Sequence, residues 1–247
     1  MSETVIEVNN VSMRFNLAEQ KTDSIKEYFL KLMKGELHFS EFYALNKVSF
    51  KVEKGDAVAL VGMNGSGKST MLKIISGILK PTSGEVRVDG SIAPLIELGA
   101  GFDQELTARE NVYLNGAVLG HSRSFMDEHM DEIIEFSELH KFMDVPLKNF
   151  SSGMKGRLGF SIATIVSADI LAVDEILAVG DFKFQEKCKD RMRELMGHGA
   201  TVLFVSHNNG AVKAICNKAV WLDHGRVVDV GSAEDICEKY EESMQNS

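Results

Sequence analysis

Three short apolar runs stand out in the hydrophobic pattern of the chain. They lie within residues 57–61, 169–175 and 201–205. Uninterrupted apolar runs of this length predict strands that are covered on both faces, which is typical of the parallel sheets of α/β proteins. The first run leads through a glycine-rich turn into residues 68–75, which continue as a predicted helix.

Two further regions of the pattern predict a helical lobe and a C-terminal hairpin. Residues 108–148 carry apolar residues at helical spacing, which predicts a helical subdomain whose methionines pack in its core. Residues 219–231 predict a β-hairpin, followed by a short helix through Tyr240. With 247 residues and 44% apolar content, the chain can bury one large α/β domain or two lobes. The apolar residues at helical spacing are Met126, Met130, Ile133 and Ile134.

The glycine-rich turn after the first run has the sequence of a phosphate-binding loop. Residues 62–69 read Gly-Met-Asn-Gly-Ser-Gly-Lys-Ser and match G-x-x-x-x-G-K-[ST] in the context of strand, loop and helix. Lys68 would neutralise charge on the β- and γ-phosphates of ATP, and the Ser69 hydroxyl would bind Mg²⁺. The predicted ATP-binding residues of this segment are Gly62, Met63, Asn64, Gly65, Ser66, Gly67, Lys68, Ser69 and Thr70.

The second and third runs end in residues suited to phosphoryl transfer. Asp174 and Glu175 are adjacent acids at the end of the second predicted strand, and Ser206 and His207 follow the third. One carboxylate can hold Mg²⁺ while the other polarises an attacking water, so Asp174 is the metal candidate and Glu175 the catalytic base. Parallel α/β sheets place their chemistry at the carboxyl ends of strands, where all four residues fall.

A further motif lies between the phosphate loop and the acids, where residues 150–154 read Phe-Ser-Ser-Gly-Met. The loop, this motif, the paired acids and His207, in this order, resemble the nucleotide-binding subunits of ABC transporters over nearly the whole chain. The resemblance implies an α/β fold, the P-loop NTPase ABC nucleotide-binding domain, with a RecA-like α/β core, an antiparallel β subdomain and a helical subdomain. We expect a single ABC ATPase domain over residues 1–247, with the core at 1–107 and 168–247 and the helical subdomain with the motif at 108–167.

The resemblance also assigns roles outside the phosphate loop. Residues 150–154 align with the family's L-S-G-G-Q signature, which completes the ATP site of the opposite subunit, so a head-to-tail homodimer is implied. Ser152 replaces a glycine and Met154 replaces the glutamine, so hydrogen bonding through that side chain is lost. Asp181 would lie in the loop that crosses the dimer seam, and His207 would contact the γ-phosphate as a catalytic residue. The predicted signature residues are Ser151, Ser152, Gly153 and Met154.

The loop that would join the nucleotide site to a membrane partner departs from the family pattern. Residues 96–102 read Ile-Glu-Leu-Gly-Ala-Gly-Phe without the usual glutamine, and Glu97 is the nearest polar substitute. Together with residues 105–111 and the altered signature, this loop resembles the ATPases of bacterial polysaccharide exporters, which serve O-antigen, capsule or teichoic acid export. The alternatives are an ABC ATPase for another cargo and a soluble ABC ATPase of iron–sulfur assembly type. The predicted coupling residues are Glu97, Leu98 and Gly99.

The exporter resemblance implies a lipid-linked glycan as cargo, a separate transmembrane permease as partner, and a peripheral position on the cytoplasmic face of the bacterial inner membrane. The sequence has no run of about 18 apolar residues and no signal peptide at its polar start, so we expect membrane association through partners. Some O-antigen subunits carry a further C-terminal carbohydrate-binding domain. We expect none within the residues up to Ser247, so either the system does not select glycan ends in this way or the sequence is truncated.

Residues 22–35 predict an amphipathic helix that ordinary ABC subunits mostly lack. Ser24 and Glu27 form a capping box, and Gly35 supplies a stop signal. The apolar face could lie at a membrane surface or against a permease, or it could pack on the protein's own core. This face is formed by Ile25, Phe29, Leu32 and Met33, and it is flanked by Lys21, Lys26, Lys31 and Lys34.

Two groups of aromatic residues are candidates for stacking on adenine. Phe15 ends a predicted first strand at residues 11–15, and the pair Phe42 and Tyr43 follows the inserted segment. An aromatic residue at a strand end is commonly part of the core. We favour Phe15 for stacking and take Tyr43 as the second predicted aromatic residue of the ATP site.

Charge and cysteine content argue against two other classes of protein. The net charge of −9 disfavours a nucleic-acid partner, because phosphate contacts need a clustered basic surface. Cys188, Cys216 and Cys237 form neither a metal-binding pattern nor an even disulfide set, so buried free thiols are expected. The histidines other than His207 show no metal-site spacing.

Overall fold

The computed structural model describes residues 3–18, 39–96, 99, 101–165, 168–174, 180–206 and 208–245. The helix predicted over 22–35 lies outside these residues. The strands are β1 (Thr4–Ala18), β2 (Phe39–Glu53), β3 (Ala57–Val61), β4 (Ser83–Val88), β5 (Ile92–Leu95), β6 (Ile170–Asp174), β7 (Thr201–Val205), β8 (Lys218–Asp223) and β9 (Arg226–Ser232). The helices are α1 (Lys68–Ile75), α2 (Ala108–Val118), α3 (Arg123–Ser137), α4 (Ser152–Ala163), α5 (Phe182–Gly197), α6 (Asn209–Ile215) and α7 (Ala233–Gln245), with 3₁₀ turns at His140–Phe142 and Leu147–Asn149.

The strands form two sheets of different character. The larger sheet has the order β5-β6-β7-β3-β8-β9, in which the first five strands pair in parallel and β9 is antiparallel to β8. The smaller sheet, β2-β1-β4, is antiparallel. The predicted α/β core with an antiparallel β subdomain is therefore confirmed.

Helices and the smaller sheet cover both faces of the central strands, which explains the uninterrupted apolar runs. All five residues of β3 are buried, as are all five of β7. Because successive strand residues face opposite sides, Val58 and Leu60 enter the cluster that includes α1 and the small sheet, while Ala59 enters the cluster on the other face. This two-sided burial holds the phosphate-loop strand in the middle of the molecule.

The helical region between α2 and α4 has a hydrophobic core of its own. A reciprocal capping box between Thr107 and Glu110 starts α2. Met126, Met130 and Ile133 of α3 are buried in this core, as the sequence predicted, and Ile134 packs at its edge. The region is therefore a helical unit held together by apolar packing, and its boundaries at residues 108 and 167 stay a prediction.

Two predicted element ends were wrong. β1 does not end at Phe15, because its pairing with β2 continues to Ala18 opposite Phe39. The C-terminal hairpin is present as β8 and β9, but α7 runs beyond Tyr240 to Gln245. Residues 241–245 contain no proline or glycine to stop a helix, so the helix extends. None of the described helices combines the length and apolar content that a membrane span requires.

Candidate functional site

The phosphate loop is enclosed by backbone from two other parts of the chain. β3 ends at Val61, and Gly67 caps α1 with φ +105°. A Cβ atom added at Gly67 would lie 2.5 Å from the Ala44 carbonyl oxygen of β2, and one added at Gly62 would lie 2.0 Å from the Leu222 carbonyl oxygen of β8. These positions are glycine because strand backbone occupies the space of a side chain.

Lys68 holds its ammonium group inside the loop. The side chain is buried, and its Nζ donates hydrogen bonds to the carbonyl oxygens of Gly62 at 2.7 Å and Met63 at 2.8 Å. The Ser66 N–H closes the loop with a bond to the Met63 carbonyl oxygen at 3.1 Å. The buried Ser66 Oγ has no hydrogen-bond partner among the described residues. The positive charge of Lys68 is therefore held inside the phosphate loop, within the curve of the loop backbone.

The loop opens into a cavity of about 600 Å³ that contains most of the predicted nucleotide site. This volume lies within the range of small-molecule sites. Ser69 and Asp174, the two predicted Mg²⁺ ligands, line this cavity together with Lys68. Its lining consists of Phe15, Phe42, Ala44, Asn64, Gly65, Gly67, Lys68, Ser69, Thr70, Ile96, Asp174 and Val205.

Strand order explains how Asp174, far along the chain, reaches the phosphate loop. β7 pairs in parallel with both β3 and β6, and Val205 of β7 is paired with Leu60 of β3 and with Asp174 of β6. The three strands run in the same direction, so their carboxyl ends meet at one edge of the sheet. The first acid of the predicted pair thus lines the same cavity as Lys68 and Ser69.

An aromatic pair also lines this cavity. Phe15 of β1 and Phe42 of β2 are paired across the antiparallel sheet and are 37% and 47% exposed. Tyr43 does not line the cavity, because adjacent strand residues face opposite sides. Phe42 lines the cavity beside Phe15, and the role of Tyr43 in ATP binding stays a prediction.

Several predicted residues lie outside the part of the chain that the structure describes. These are the catalytic candidates Glu175 and His207 and the coupling residues Glu97 and Leu98. Their neighbours are described: Asp174 ends β6, and Ser206 follows β7, where its buried Oγ accepts a hydrogen bond from the Asn208 N–H at 3.1 Å.

The signature residues form the N-terminal turn of α4. Ser151 is the N-cap, and its Oγ accepts a hydrogen bond from the Met154 N–H at 3.2 Å. Ser151 and Ser152 are exposed, whereas the Met154 side chain packs against the core of the helical region. The side chain that stands where the family has glutamine is thus engaged in apolar packing.

Signature and seam residues line a second cavity of about 360 Å³. Its walls include Ser151, Gly153 and Met154 from the signature, and Gly180 and Asp181 from the segment before α5. Over the described residues, the walls of this cavity and of the phosphate-loop cavity have no residue in common. Within one copy, the signature and the phosphate loop therefore belong to separate clefts.

Arg157 of the signature helix fastens Asp181 to the helical region. Its guanidinium donates to Asp181 Oδ2 at 2.6 Å and to Glu138 Oε2 at 3.1 Å, and it stacks 4.8 Å from the Phe184 ring centre. Asp181 also caps α5 through the Phe184 N–H. The pKa of Asp181 is lowered by that backbone N–H and by the charge of Arg157. Sequence reasoning missed Arg157, whose role depends on contacts between distant segments.

The described part of the predicted coupling segment is held by local packing, and a buried amide fixes the turn that follows it. A Cβ at Gly99 would lie 2.5 Å from the Phe102 ring, and the Phe102 N–H donates to the Gly99 carbonyl oxygen at 2.9 Å. Asn111 is fully buried and donates to the carbonyl oxygens of Asp103, Leu106 and Thr107. Asn111 was also missed, although an asparagine inside a helix is a signal for such a side-chain role.

The three cysteines are free and buried, as predicted. Burial raises the pKa of Cys188 and of Cys216 to about 12, so neither thiol ionises near neutral pH. Among the described residues, no group of His, Cys, Asp and Glu has the arrangement of a metal centre. The thiols are therefore structural.

The ABC transporter family model matches residues 45–178. An O-antigen export system ATP-binding protein, RfbB of Klebsiella pneumoniae, is 45% identical over 98% of this chain and 99% of its own length. The teichoic acids export ATP-binding protein TagH of Bacillus anthracis is 40% identical over 97% of this chain and 43% of its own length.

Solved structures show the same fold. An ATP-binding subunit of an ABC transporter has a TM-score of 0.74 at 24% identity, covering 96% of this chain and 94% of that chain. The dimeric MJ0796, a bacterial ABC transporter cassette, has a TM-score of 0.72 at 24% identity, covering 92% and 98%. On the family match, the relative that is 45% identical over nearly the full length of both chains, and the shared fold, this chain belongs to the ABC transporter family.

Proposed function

We propose that the chain is the ATP-hydrolysing subunit that powers export of a lipid-linked polysaccharide, of the O-antigen, teichoic acid or capsule class, across the bacterial cytoplasmic membrane. The observation that carries the ATPase function is the cavity in which Lys68, Ser69 and Asp174 meet an aromatic wall. The export function is supported by the names of relatives that are 40–45% identical over nearly the whole chain.

ATP would bind with its phosphates in the loop and its base toward Phe15 and Phe42. The loop N–H groups and Lys68 match phosphate charge, and the two rings offer flat apolar surface for adenine. The donors for Mg²⁺ also fit, because the Ser69 hydroxyl and the Asp174 carboxylate are oxygen groups on one cavity. When bound, Mg²⁺ supplies neutralisation of phosphate charge.

Glu175 would act as the general base and His207 would contact the γ-phosphate. Glu175 directly follows Asp174, which lines the cavity, and His207 directly follows Ser206 at the end of the adjacent strand. A carboxylate at this edge can orient water for in-line attack on the γ-phosphate. The histidine would bind the terminal phosphate and so distinguish ATP from ADP.

A second copy would complete the site through its signature residues. In one chain these residues, Ser151 to Met154, and the phosphate loop line different cavities. A head-to-tail pair would place the N-terminal turn of α4 of one copy against the ATP of the other, where its free N–H groups favour an anion. Asp181 would then lie at the seam beside Phe182, which is 76% exposed and available for burial by a partner. The related cassette MJ0796 forms a dimer.

The conformational change driven by ATP hydrolysis would be transmitted to a separate transmembrane permease through residues 96–102. Glu97, Leu98 and Gly99 would lie at the contact. The chain would then sit as a peripheral subunit on the cytoplasmic face of the membrane. The acidic net charge of −9 disfavours a nucleic-acid partner.

Purification of the tagged chain from detergent-solubilised membranes should recover a polytopic membrane protein. Adding the lipid-linked glycan of the same cells to that complex should raise its ATPase rate, because cargo engages the permease that the ATPase drives. Glycan stripped of its lipid serves as the matched control. Recovery of soluble partners in place of a membrane protein would favour the iron–sulfur assembly alternative and contradict the proposal.

The predicted helix at residues 22–35 should serve export and not the stability of the ATPase domain. Replacing Phe29 and Met33 with serine should leave the melting temperature of the isolated protein nearly unchanged and abolish polysaccharide export in cells. If the face packs on the protein's own core, each truncation should cost about 2–5 kcal/mol. Thermal melts of both single variants therefore decide between the two hypotheses, and a steep loss of stability would refute the export role.

A further inference from the structure

The C-terminal hairpin reaches across the molecule to the phosphate loop. His224 and Gly225 join the paired residues Asp223 and Arg226, and their φ angles are +44° and +72°. Positive φ at both central residues is the mark of the type I′ turn that fits a two-residue hairpin. The turn places the backbone of residues 224–225 at the end of the hairpin of β8 and β9.

The backbone of Gly225 is hydrogen-bonded to the phosphate loop on one side and to β2 on the other. The Gly225 N–H donates to the Ser66 carbonyl oxygen at 3.0 Å, and the Asn46 N–H donates to the Gly225 carbonyl oxygen at 2.7 Å. Ser66 directly precedes Gly67, the N-cap of α1, and Asn46 lies two residues after the cavity-lining Ala44. One residue of the hairpin, through its N–H and its carbonyl oxygen, thus ties the loop to the strand that carries part of the cavity wall.

Space around Gly225 leaves no room for a side chain. An added Cβ would lie 2.6 Å from the Ala44 carbonyl oxygen, 3.0 Å from the Ala44 carbonyl carbon and 3.1 Å from Leu45 Cα. All three atoms are backbone, so relief requires a shift of β2 or of the turn. The carbonyl oxygen of Ala44 is also the atom that an added Cβ at Gly67 would meet. The turn and the phosphate loop therefore pack against one point of β2.

We propose that Gly225 is a positioning residue for ATP binding: through its backbone N–H and carbonyl oxygen it sets the phosphate loop against β2. Displacing the turn moves the Ser66 carbonyl and with it the start of α1, whose N–H groups face the phosphates. The proposal rests on ATP binding at this loop, as proposed above.

Gly225→Ala should weaken ATP binding more than a matched glycine substitution does. Gly55→Ala is the control, since Gly55 has φ +80° with no atom within 4 Å of an added Cβ, and it lies at the opposite end of β3 from the loop. The backbone strain is then similar, but the clash with β2 is absent. In isothermal titration, Gly225→Ala should raise the Kd for ATP about tenfold or more, and Gly55→Ala should not.

His224→Gly tests whether any substitution in the turn weakens ATP binding. The His224 side chain is 94% exposed, and glycine accepts its positive φ without strain. This variant should keep wild-type ATP affinity. Equal Kd values for Gly225→Ala and Gly55→Ala, with equal losses in melting temperature, would overturn the positioning role. A wild-type protein that fails to bind ATP would instead overturn the proposed function, and the positioning role with it.

The unmodified protein offers a second test that does not depend on a variant folding. Because binding effects are reciprocal, ATP that stabilises the loop must also stabilise the turn that holds it. Hydrogen exchange of the Gly225 amide should slow when ATP is added, while exchange of the amides at 54–55 should stay unchanged. An unaltered exchange rate at Gly225 under saturating ATP would contradict the proposal.

Discussion

Replacing Glu175 with glutamine should lower the ATPase rate about 10²-fold or more while ATP binding is retained. Glutamine keeps the size and shape of the side chain but cannot accept the proton of the attacking water. The phosphate contacts of Lys68 and the loop are untouched, so the affinity for ATP should stay near the wild-type value. The steady-state ATPase rate tests the loss of hydrolysis, and the Kd for ATP of the same preparation tests the retention of binding.

The same variant should accumulate as a closed dimer when ATP is added, because the step that separates the two copies is blocked. Size-exclusion chromatography with ATP and with ADP would detect it, and only ATP should shift the elution to the larger species. Glu128→Gln, an exposed residue of α3, is the matched control and should behave as wild type. A Glu175→Gln protein that hydrolyses ATP at the wild-type rate would remove Glu175 from the catalytic role.

The bounds of some elements could be predicted from the sequence to the residue, because their local sequence is compatible with only one structure. The predicted bounds of β3, α1 and β7 match the structure. Each central strand is covered on both faces, so an almost uninterrupted apolar run marks its length. The α1 boundary follows from the phosphate-loop motif, whose last glycine caps the helix.

Choices between neighbouring residues depended on strand register, which the sequence does not determine. Phe42 and Tyr43 are adjacent aromatic residues with similar exposure, and composition does not separate them. Pairing of β1 with β2 places Phe42 opposite Phe15 and so directs it to the cavity. A shift by one residue would exchange the two faces, so the sequence alone does not tell which of the two residues lines the cavity.

Contacts between distant segments escaped prediction for a related reason. Arg157 and Gly225 each act through partners that lie in other elements, and their local sequence is compatible with ordinary helix and turn positions. The hairpin around Gly225 was predicted, but its contact with Ser66 exists only because β8 lies beside β3. Strand order, a property of the whole fold, brings the turn to the loop.

Removing the charge of Lys68 should weaken ATP binding itself, in contrast to the loss of turnover expected at Glu175. The ammonium group is buried and hydrogen-bonded to the carbonyl oxygens of Gly62 and Met63, so it would meet the phosphates of bound ATP with little freedom to lose. Hydrogen bonds to charged groups contribute about 1.5–3 kcal/mol, which corresponds to a rise in Kd of roughly 10- to 150-fold. Titration calorimetry with Mg²⁺ and ATP would measure it.

Two variants separate the charge of Lys68 from the packing of its stem. Lys68→Ala removes both and leaves the two loop carbonyl groups without their donor, so stability should fall together with affinity. Lys68→Met keeps an unbranched apolar chain, so most of the packing should survive while the affinity for ATP is still lost. Lys80→Ala, at an exposed lysine shortly after α1, is the control and should bind ATP as wild type does. If both Lys68 variants kept full affinity for ATP, the loop would not be the phosphate site, and the ATPase function built on it would fail.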